Sequence, residues 1–279
     1  MRVVLVVANE TIGGRPLIEA MQRLAEQDET RFVLCVPQSK PRGGMVVYDD
    51  AVFDSAQVRV DLAVGFVRSE GMDAVGEVGD PDPYAAAMDA VREYEPDEII
   101  ISTLPEARSG WLRRDLIERI REASSIPVEH VIADIDSEGL YFHVTLAVAN
   151  RTAAGNELLD ALREKAAQET DRRERLFLVL VPQESGEGSA ARRARTRLSL
   201  VLGRLRDAEL TAAGMIGDPD PYTAIMTVLQ SFRVDDIIIS TFPETKSGWL
   251  RADLVDRVRA ASGKQVEHIV PHDPARAGA

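Results

Sequence analysis

The chain has 279 residues, 45% of them apolar, and a formal charge of −13. That length suits two ordinary domains, each with enough apolar content for a core. The charge repels polyanions and so excludes nucleic acid and anionic membrane as general partners, though not a small basic pocket. One cysteine rules out an intramolecular disulfide, and no apolar stretch approaches the roughly 18 residues of a membrane span, so a cytoplasmic location is expected by elimination.

Val3-Val4-Leu5-Val6-Val7 is an unbroken run of β-branched and aliphatic residues, the pattern of a strand buried on both faces of a parallel sheet. A short loop with Gly13-Gly14 follows, and Leu17, Ile18, Met21, Leu24 and Ala25 then recur at helical spacing. Arg31 to Val36 reads as a second buried strand closed by Pro37, with Cys35 as a small core residue inside it. Residues 38–50 read as a loop, 51–70 as a helix and Val75 to Val78 as a third strand. Asp80-Pro81-Asp82-Pro83 is a helix start, since Asp caps and Pro fits the first turn. Glu98 to Ser102 is a fourth strand, and a loop then leads through Ser109-Gly110-Trp111 into a helix with Leu112, Leu116, Ile117 and Ile120 inward. Pro127 precedes a fifth strand, Val128 to Ile132. Alternation of this kind predicts a parallel sheet with helices on both faces, a doubly wound α/β domain of Rossmann-like type.

The whole pattern occurs twice. Ala8-Asn9-Glu10-Thr11 returns as Ala149-Asn150-Arg151-Thr152, and Val36-Pro37-Gln38 as Val181-Pro182-Gln183. Gly79-Asp80-Pro81-Asp82-Pro83-Tyr84 returns unchanged as Gly217 to Tyr222, and the block Ser102 to Arg113 returns as Ser240 to Arg251. The copies lie 141 residues apart at Asn9, 145 at Pro37 and 138 from Gly79 onward, so insertions fall between the shared blocks, where loops tolerate them. A repeat of this length is a domain rather than a solenoid unit, which divides the chain into residues 1–138 and 139–279 and suggests pseudo-twofold symmetry. The tail from His272 to Ala279 reads as frayed.

Open α/β sheets bind ligands beyond the carboxyl ends of their strands, at the switch in strand order. The candidate contacts are Ala8, Asn9, Thr11, Gly14, Val36, Gly79, Asp80, Thr103, Arg108, Ser109, Gly110 and Arg113. Their copies are Ala149, Asn150, Thr152, Gly155, Val181, Gly217, Asp218, Thr241, Lys246, Ser247, Gly248 and Arg251. The block ending in Arg113 carries hydroxyls and a cation into a helix, whose free N–H groups and positive end suit a phosphate. Helix capping by Ser109, a tight turn at Gly110 and core packing of Trp111 account for the same residues, as local turn bonds account for Asn9 and Thr11. Asp80 and Asp82 read as caps rather than metal ligands, and His130 and His268 as edge-strand or interface residues. Neither Glu106 nor Glu244 has a histidine or cysteine cluster beside it in the sequence, and no nucleophile–base–acid set has recognisable spacing. No catalytic or metal residue is therefore named.

The opening strand through Thr11, the Val78-Gly79-Asp80-Pro81 turn and the strand Asp97 to Thr103 resemble the universal stress protein family, in both halves. The likeness is to a tandem two-domain member, a kind associated with actinobacteria. Some members of that family bind ATP through an Asp after the first strand and a loop of the form G-2x-G-9x-G-(S/T). This sequence has Asn9 and Asn150 near the Asp position, keeps only Ser109-Gly110 of the loop, and has Asp115-Leu116-Ile117 where the loop closes. The resemblance implies a stress-response protein in which the altered loop holds ATP, another adenine nucleotide or another phosphate-bearing molecule, or else a scaffold that binds a protein partner and no nucleotide. It also implies that Val128 to Ile132 and Val266 to Val270 pair edge to edge within the chain as a pseudo-dimer, with a further homodimer open to it.

Overall fold

The computed structural model describes residues 1–39, 49–112, 115–153, 155–168, 173–184, 189–242 and 253–270. They form two compact units, Met1–Phe142 and His143–Ala279, a division at 142 where the repeat suggested 138. The first unit runs β1 (Arg2–Val7), α1 (Arg15–Gln27), β2 (Thr30–Pro37), α2 (Asp49–Ser69), β3 (Asp73–Gly79), α3 (Pro83–Tyr94), β4 (Glu98–Thr103), α4 (Leu116–Ser124) and β5 (Val128–Ile132). The second runs β6 (His143–Ala149), α5 (Asn156–Ala167), β7 (Arg175–Pro182), α6 (Ala190–Asp207), β8 (Ala212–Gly217), α7 (Pro221–Ser231), β9 (Asp236–Ser240), α8 (Leu254–Ser262) and β10 (Gln265–Ile269).

Each unit holds a five-stranded parallel sheet, ordered β3-β2-β1-β4-β5 in the first and β8-β7-β6-β9-β10 in the second. β5 and β10 are the outermost strands of their own sheets. The run Val4 to Val7 is fully buried, as continuous apolar strands between two helical layers must be. On one face Leu5, Val7, Val33, Cys35, Ile99 and Ile101 meet Ala86, Ala87 and Ala90 of α3 and Leu116, Ile117 and Ile120 of α4. Each large aliphatic so buried contributes about 1.5–3 kcal/mol relative to exposure. In the second unit Phe177, Val179, Val181 and Ile238 meet Leu158 and Leu162 of α5 and Val201 and Leu205 of α6, the face that corresponds to α1 and α2 of the first.

The helix starts at Pro83 and Pro221 follow the sequence closely. Asp82 is the N-cap and accepts from the Tyr84 N–H, while Asp80 accepts from the Asp82 N–H at 2.7 Å, so the second acid caps and the first shapes the turn before it. Asp218 and Asp220 repeat this, with Asp220 accepting from the Thr223 N–H at 3.0 Å. α4 differs from expectation. It begins at Leu116, not at Ser109, because Asp115 adopts a left-handed conformation (φ 49°) and the Leu116 N–H reaches back to the Trp111 carbonyl. Asp253 does the same before α8. Asp and Asn tolerate this conformation better than other side chains, which makes Asp115 a usable break in the chain path.

At the amino ends of its strands the first unit pairs Arg2 with Glu98 and Arg23 with Glu129, and the second unit uses different cations. There Arg175 Nη1 donates to Asp236 Oδ2 and to Thr145 Oγ1, both at 2.7 Å, and Lys165 Nζ lies 3.4 Å from Glu267. The corresponding first-unit residues are Thr30, Glu98, Val4 and, for Lys165, Leu24.

Gly79 and Gly217 end their strands under the following helix. A Cβ on Gly79 would meet the Ala86 Cβ at 2.6 Å and the Cys35 sulfur at 2.9 Å, and one on Gly217 would meet the Ala224 Cβ at 2.7 Å. Their repetition is thus explained by close strand–helix packing. Gly79→Ala is expected to destabilise by about 1–3 kcal/mol through overpacking, read as a lower urea midpoint. Gly110→Ala, with open space around it, is expected to change stability by less than about 0.5 kcal/mol; equal losses at both positions would refute the packing account.

Candidate functional site

In each sheet the first strand lies between the second and the fourth, so the loops leaving β1 and β4, or β6 and β9, run to opposite sides and open a crevice at the carboxyl ends. The segments 8–14 and 103–112 follow β1 and β4 in the first unit, and Gly79-Asp80 lies at the end of β3, the outermost strand on the other side.

The polar side chains of these segments brace the strand ends, with three links shared by both units. Asn9 Nδ2 donates to the Pro37 carbonyl at 2.8 Å, and Asn150 Nδ2 to the Pro182 carbonyl at 2.9 Å. Thr11 Oγ1 donates to the Ser102 carbonyl at 3.1 Å, and Thr152 Oγ1 to the Ser240 carbonyl at 2.9 Å. Thr103 Oγ1 lies 2.9 Å from His130 Nε2, and Thr241 Oγ1 lies 2.8 Å from His268 Nε2. The first link ties β1 to β2, the second β1 to β4, the third β4 to β5. These atoms sit where the ladders end and backbone carbonyls would otherwise lose partners. Ala8, Val36, Ala149 and Val181 are fully buried within this frame. Ser102 Oγ and Ser240 Oγ are buried there without a hydrogen-bond partner among the described residues.

The loop after β4 turns at Pro105, whose carbonyl accepts from the Arg108 N–H at 2.8 Å and the Ser109 N–H at 3.0 Å. Ser109 is buried, and its Oγ accepts from the Leu112 N–H at 3.2 Å. It therefore caps a short turn rather than α4, and the expected phosphate cradle at the N-terminus of that helix is not built by Ser109-Gly110. Trp111 and Leu112 pack on the core. Arg108 is the cation among the loop's described residues. Its Nη2 pairs with Asp134 and its Nη1 with Asp136. The Arg108 guanidinium holds the Asp134 carboxyl below the ordinary range, with Ser137 adding a bond. Arg113 lies outside the described residues, as do Lys246, Ser247, Gly248 and Arg251.

Residues 133–142 cross this end of the first unit. The Ala133 N–H donates to the Thr103 carbonyl at 2.9 Å, and the Tyr141 N–H donates to the Gly13 carbonyl at 2.8 Å. Leu140 forms an antiparallel bridge with Gly14. A Cβ on Gly14 would meet the Ala133 Cβ at 2.7 Å, so this glycine is required by the chain's own return path. Gly155 is the N-cap of α5, in extended conformation.

Sequence reasoning missed one pair of arginines. Arg59 in α2 and Arg197 in α6 stand 138 residues apart, the spacing shared with Gly79 and Gly217, and that coincidence was the available signal. Arg197 Nη1 donates to Asn150 Oδ1 at 2.5 Å and Nη2 to Glu184 at 2.9 Å. Burial works against the Glu184 carboxylate, yet Arg197 and Arg193 together hold its pKa below the usual range. Arg59 is buried, which pushes its guanidinium down to about 10, with Glu10 opposing the shift; it remains charged at neutral pH. Cys35 is fully buried, and burial followed by the nearby Glu77 pushes its thiol up to about 12, so it is an inert core residue. No metal-binding group of three or more acidic, histidine or cysteine side chains occurs among the described residues, and no described helix is long and apolar enough to cross a membrane.

No protein-family model matches the chain, and no curated protein matches it. Solved structures of universal stress proteins are similar to it. One from Archaeoglobus fulgidus is 13% identical, covering 96% of this chain and 97% of its own, with a TM-score of 0.35. One from Pseudomonas aeruginosa is 15% identical, covering 97% and 94%, with a TM-score of 0.32. One from Arabidopsis thaliana, determined with AMP bound, is 13% identical, covering 49% and 95%, with a TM-score of 0.33. The fold assignment rests on the strand order and pairing described above.

Burial holds the imidazoles of His130 and His268 below their ordinary value, and Arg121 adds to the effect at His130. A base with a depressed folded pKa binds fewer protons folded than unfolded. Its contribution is therefore present above the unfolded value of 6.5 and is lost as the pH falls through the window below it. The double variant His130→Gln/His268→Gln is expected to show a smaller fall in urea midpoint between about pH 7.5 and about 5.5 than the wild type. Equal falls would assign the acid sensitivity to other groups.

Proposed function

We propose that the chain is a tandem stress-response protein of universal-stress-protein type that binds a phosphate-bearing ligand, such as an adenine nucleotide, at the carboxyl ends of its strands. The observation that carries this reading is Arg108. It stands in the loop after β4, beside the crevice of the strand order, and its fork already takes two oxyanion-bearing groups. A guanidinium that receives two separate carboxylates offers the donors that recognise a phosphate. Lys246 occupies the corresponding place in the repeat. In this reading Arg108 and Lys246 contribute charge, and the Asn, Thr and His braces keep the crevice walls in register.

A second reading, a scaffold that binds a protein partner and no nucleotide, is favoured by one specific observation. Asn9, Thr11 and Thr103, the side chains most suited to a base or ribose, make their hydrogen bonds within the fold.

Equilibrium binding of ATP, AMP and inorganic pyrophosphate separates the two. The wild type is expected to bind at least one of them, and Arg108→Ala/Lys246→Ala to weaken that binding by about tenfold or more, since charge-assisted contacts are worth about 1.5–3 kcal/mol. Unchanged affinity in the double variant would remove these cations from the site. A wild type that binds none of the three would leave the scaffold reading standing.

A further inference from the structure

We propose that residues 133–142 are an acidic strap that competes with an anionic ligand for Arg108, so that the first unit takes such a ligand only when Asp134 and Asp136 release it. The inference rests on the phosphate-site reading above and adds a regulation to it.

The strap is anchored at both ends by apolar and backbone contacts. Ala133 and Ile135 are buried against Leu104, with Leu140 packed on the same cluster. At the far end Phe142 lies against Phe66, ring centroids 5.0 Å apart, and the Arg15 guanidinium sits 5.2 Å over the Tyr141 ring. Between the anchors the chain makes a turn. The Asp134 carbonyl accepts from the N–H groups of Ser137 and Glu138 at 3.1 and 2.8 Å, and Gly139, at φ 75°, reverses the direction. Positive φ at that point suits glycine and little else. The turn carries Asp134, Asp136 and Glu138, and residues 133–142 include no basic side chain. Of the two carboxylates that meet Arg108, Asp136 has 68% of its side chain exposed and Asp134 34%, with Arg108 itself at 30%. Ion pairs this exposed are screened by water and salt, which makes them replaceable by a more highly charged anion.

Two carboxylates from one turn also supply the charge and the pair of oxygen acceptors that a phosphate would bring to the same fork. The repeat does not preserve them. At the spacing of 138, His272 and Pro274 stand where Asp134 and Asp136 stand, while Lys246 stands for Arg108. The two units thus share the cation and differ in the acids that would compete for it.

The test uses the full chain carrying Lys246→Ala, so that binding reports the first unit, with ATP as the probe. On that background Asp134→Asn/Asp136→Asn is expected to tighten ATP binding by about tenfold, the factor recovered when a site closed about nine-tenths of the time is opened. Adding Arg108→Ala should remove the gain. A control with two exposed acids changed elsewhere, Asp89→Asn/Glu118→Gln, should leave affinity within about twofold, which separates release of Arg108 from the general loss of negative charge. Hydrogen exchange at the Ser137 and Glu138 amides, which close the turn on the Asp134 carbonyl, should quicken on ATP binding as the turn leaves Arg108. If ATP binds the wild type through Lys246 but the Asp134/Asp136 variant gains nothing, the strap proposal is overturned and the site reading stands. If no form of the chain binds ATP or pyrophosphate, the site reading fails and takes the strap proposal with it.

Discussion

A strand with neighbours on both edges and helices over both faces has no place for a polar side chain except at its ends. β1 and β6 are such strands. Val4 to Val7 and Leu146 to Ala149 are fully buried, so polar side chains are confined to the strand ends, with His143 and Thr145 at the start of β6 and Asn9, Thr11, Asn150 and Thr152 just beyond the carboxyl ends. There the ladder of backbone bonds gives out, and the carbonyls of Pro37, Pro182, Ser102 and Ser240 need donors. Asn9, Asn150, Thr11 and Thr152 supply them. The crevice that a parallel sheet opens at its switch point is therefore walled by side chains already engaged in holding the sheet's end together, while Arg108 of the following loop is held by Asp134 and Asp136.

The duplication shows which features the fold itself requires. Both copies keep the braces, the capped helix starts and the tight glycine under the following helix. They diverge where the frame tolerates it. The second unit carries Arg175 and Lys165 around Asp236 at the amino ends of its strands, where a partner removed alone would strand a buried charge. In α6 it has six arginines between Ala190 and Asp207, against two in α2. In the first unit the segment after β5 meets Arg108 with carboxylates, and the corresponding stretch of the second has different residues. The frame is common to both units, and the charges set around it belong to each one separately.

Much of this was legible in the sequence because it is local. The apolar runs give the strands, Asp82-Pro83 gives a helix start, and the repeat gives two units. The loop after β4 was misread because Ser109 does cap, but caps a turn; the chain then breaks again at Asp115, whose left-handed conformation no spacing rule requires. Asn9 and Thr11 looked able to face a ligand because their partners, Pro37 and Ser102, are brought beside them only by sheet formation. Arg108 looked free for the same reason: Asp134 and Asp136 lie 26 and 28 residues further along the chain. Arg59 fell in a stretch, 51–70, read only as a helix, where a charge passes as solvated surface, yet it is buried.

The ring of Phe142 has a consequence for taking the protein apart. A Cβ on Gly13 would lie 2.5 Å from its Cζ, and the same ring packs on Phe66, so the residue immediately before β6 completes the first unit. The boundary drawn from the repeat, after residue 138, would cut that unit before Leu140, Tyr141 and Phe142. A first half prepared in isolation from such a cut would show an uncovered Phe66 and an unmatched Gly13 carbonyl, the kind of sticky apolar face that drives nonspecific association. The four residues 139–142 carry the ring that packs on Phe66 and the N–H that meets the Gly13 carbonyl.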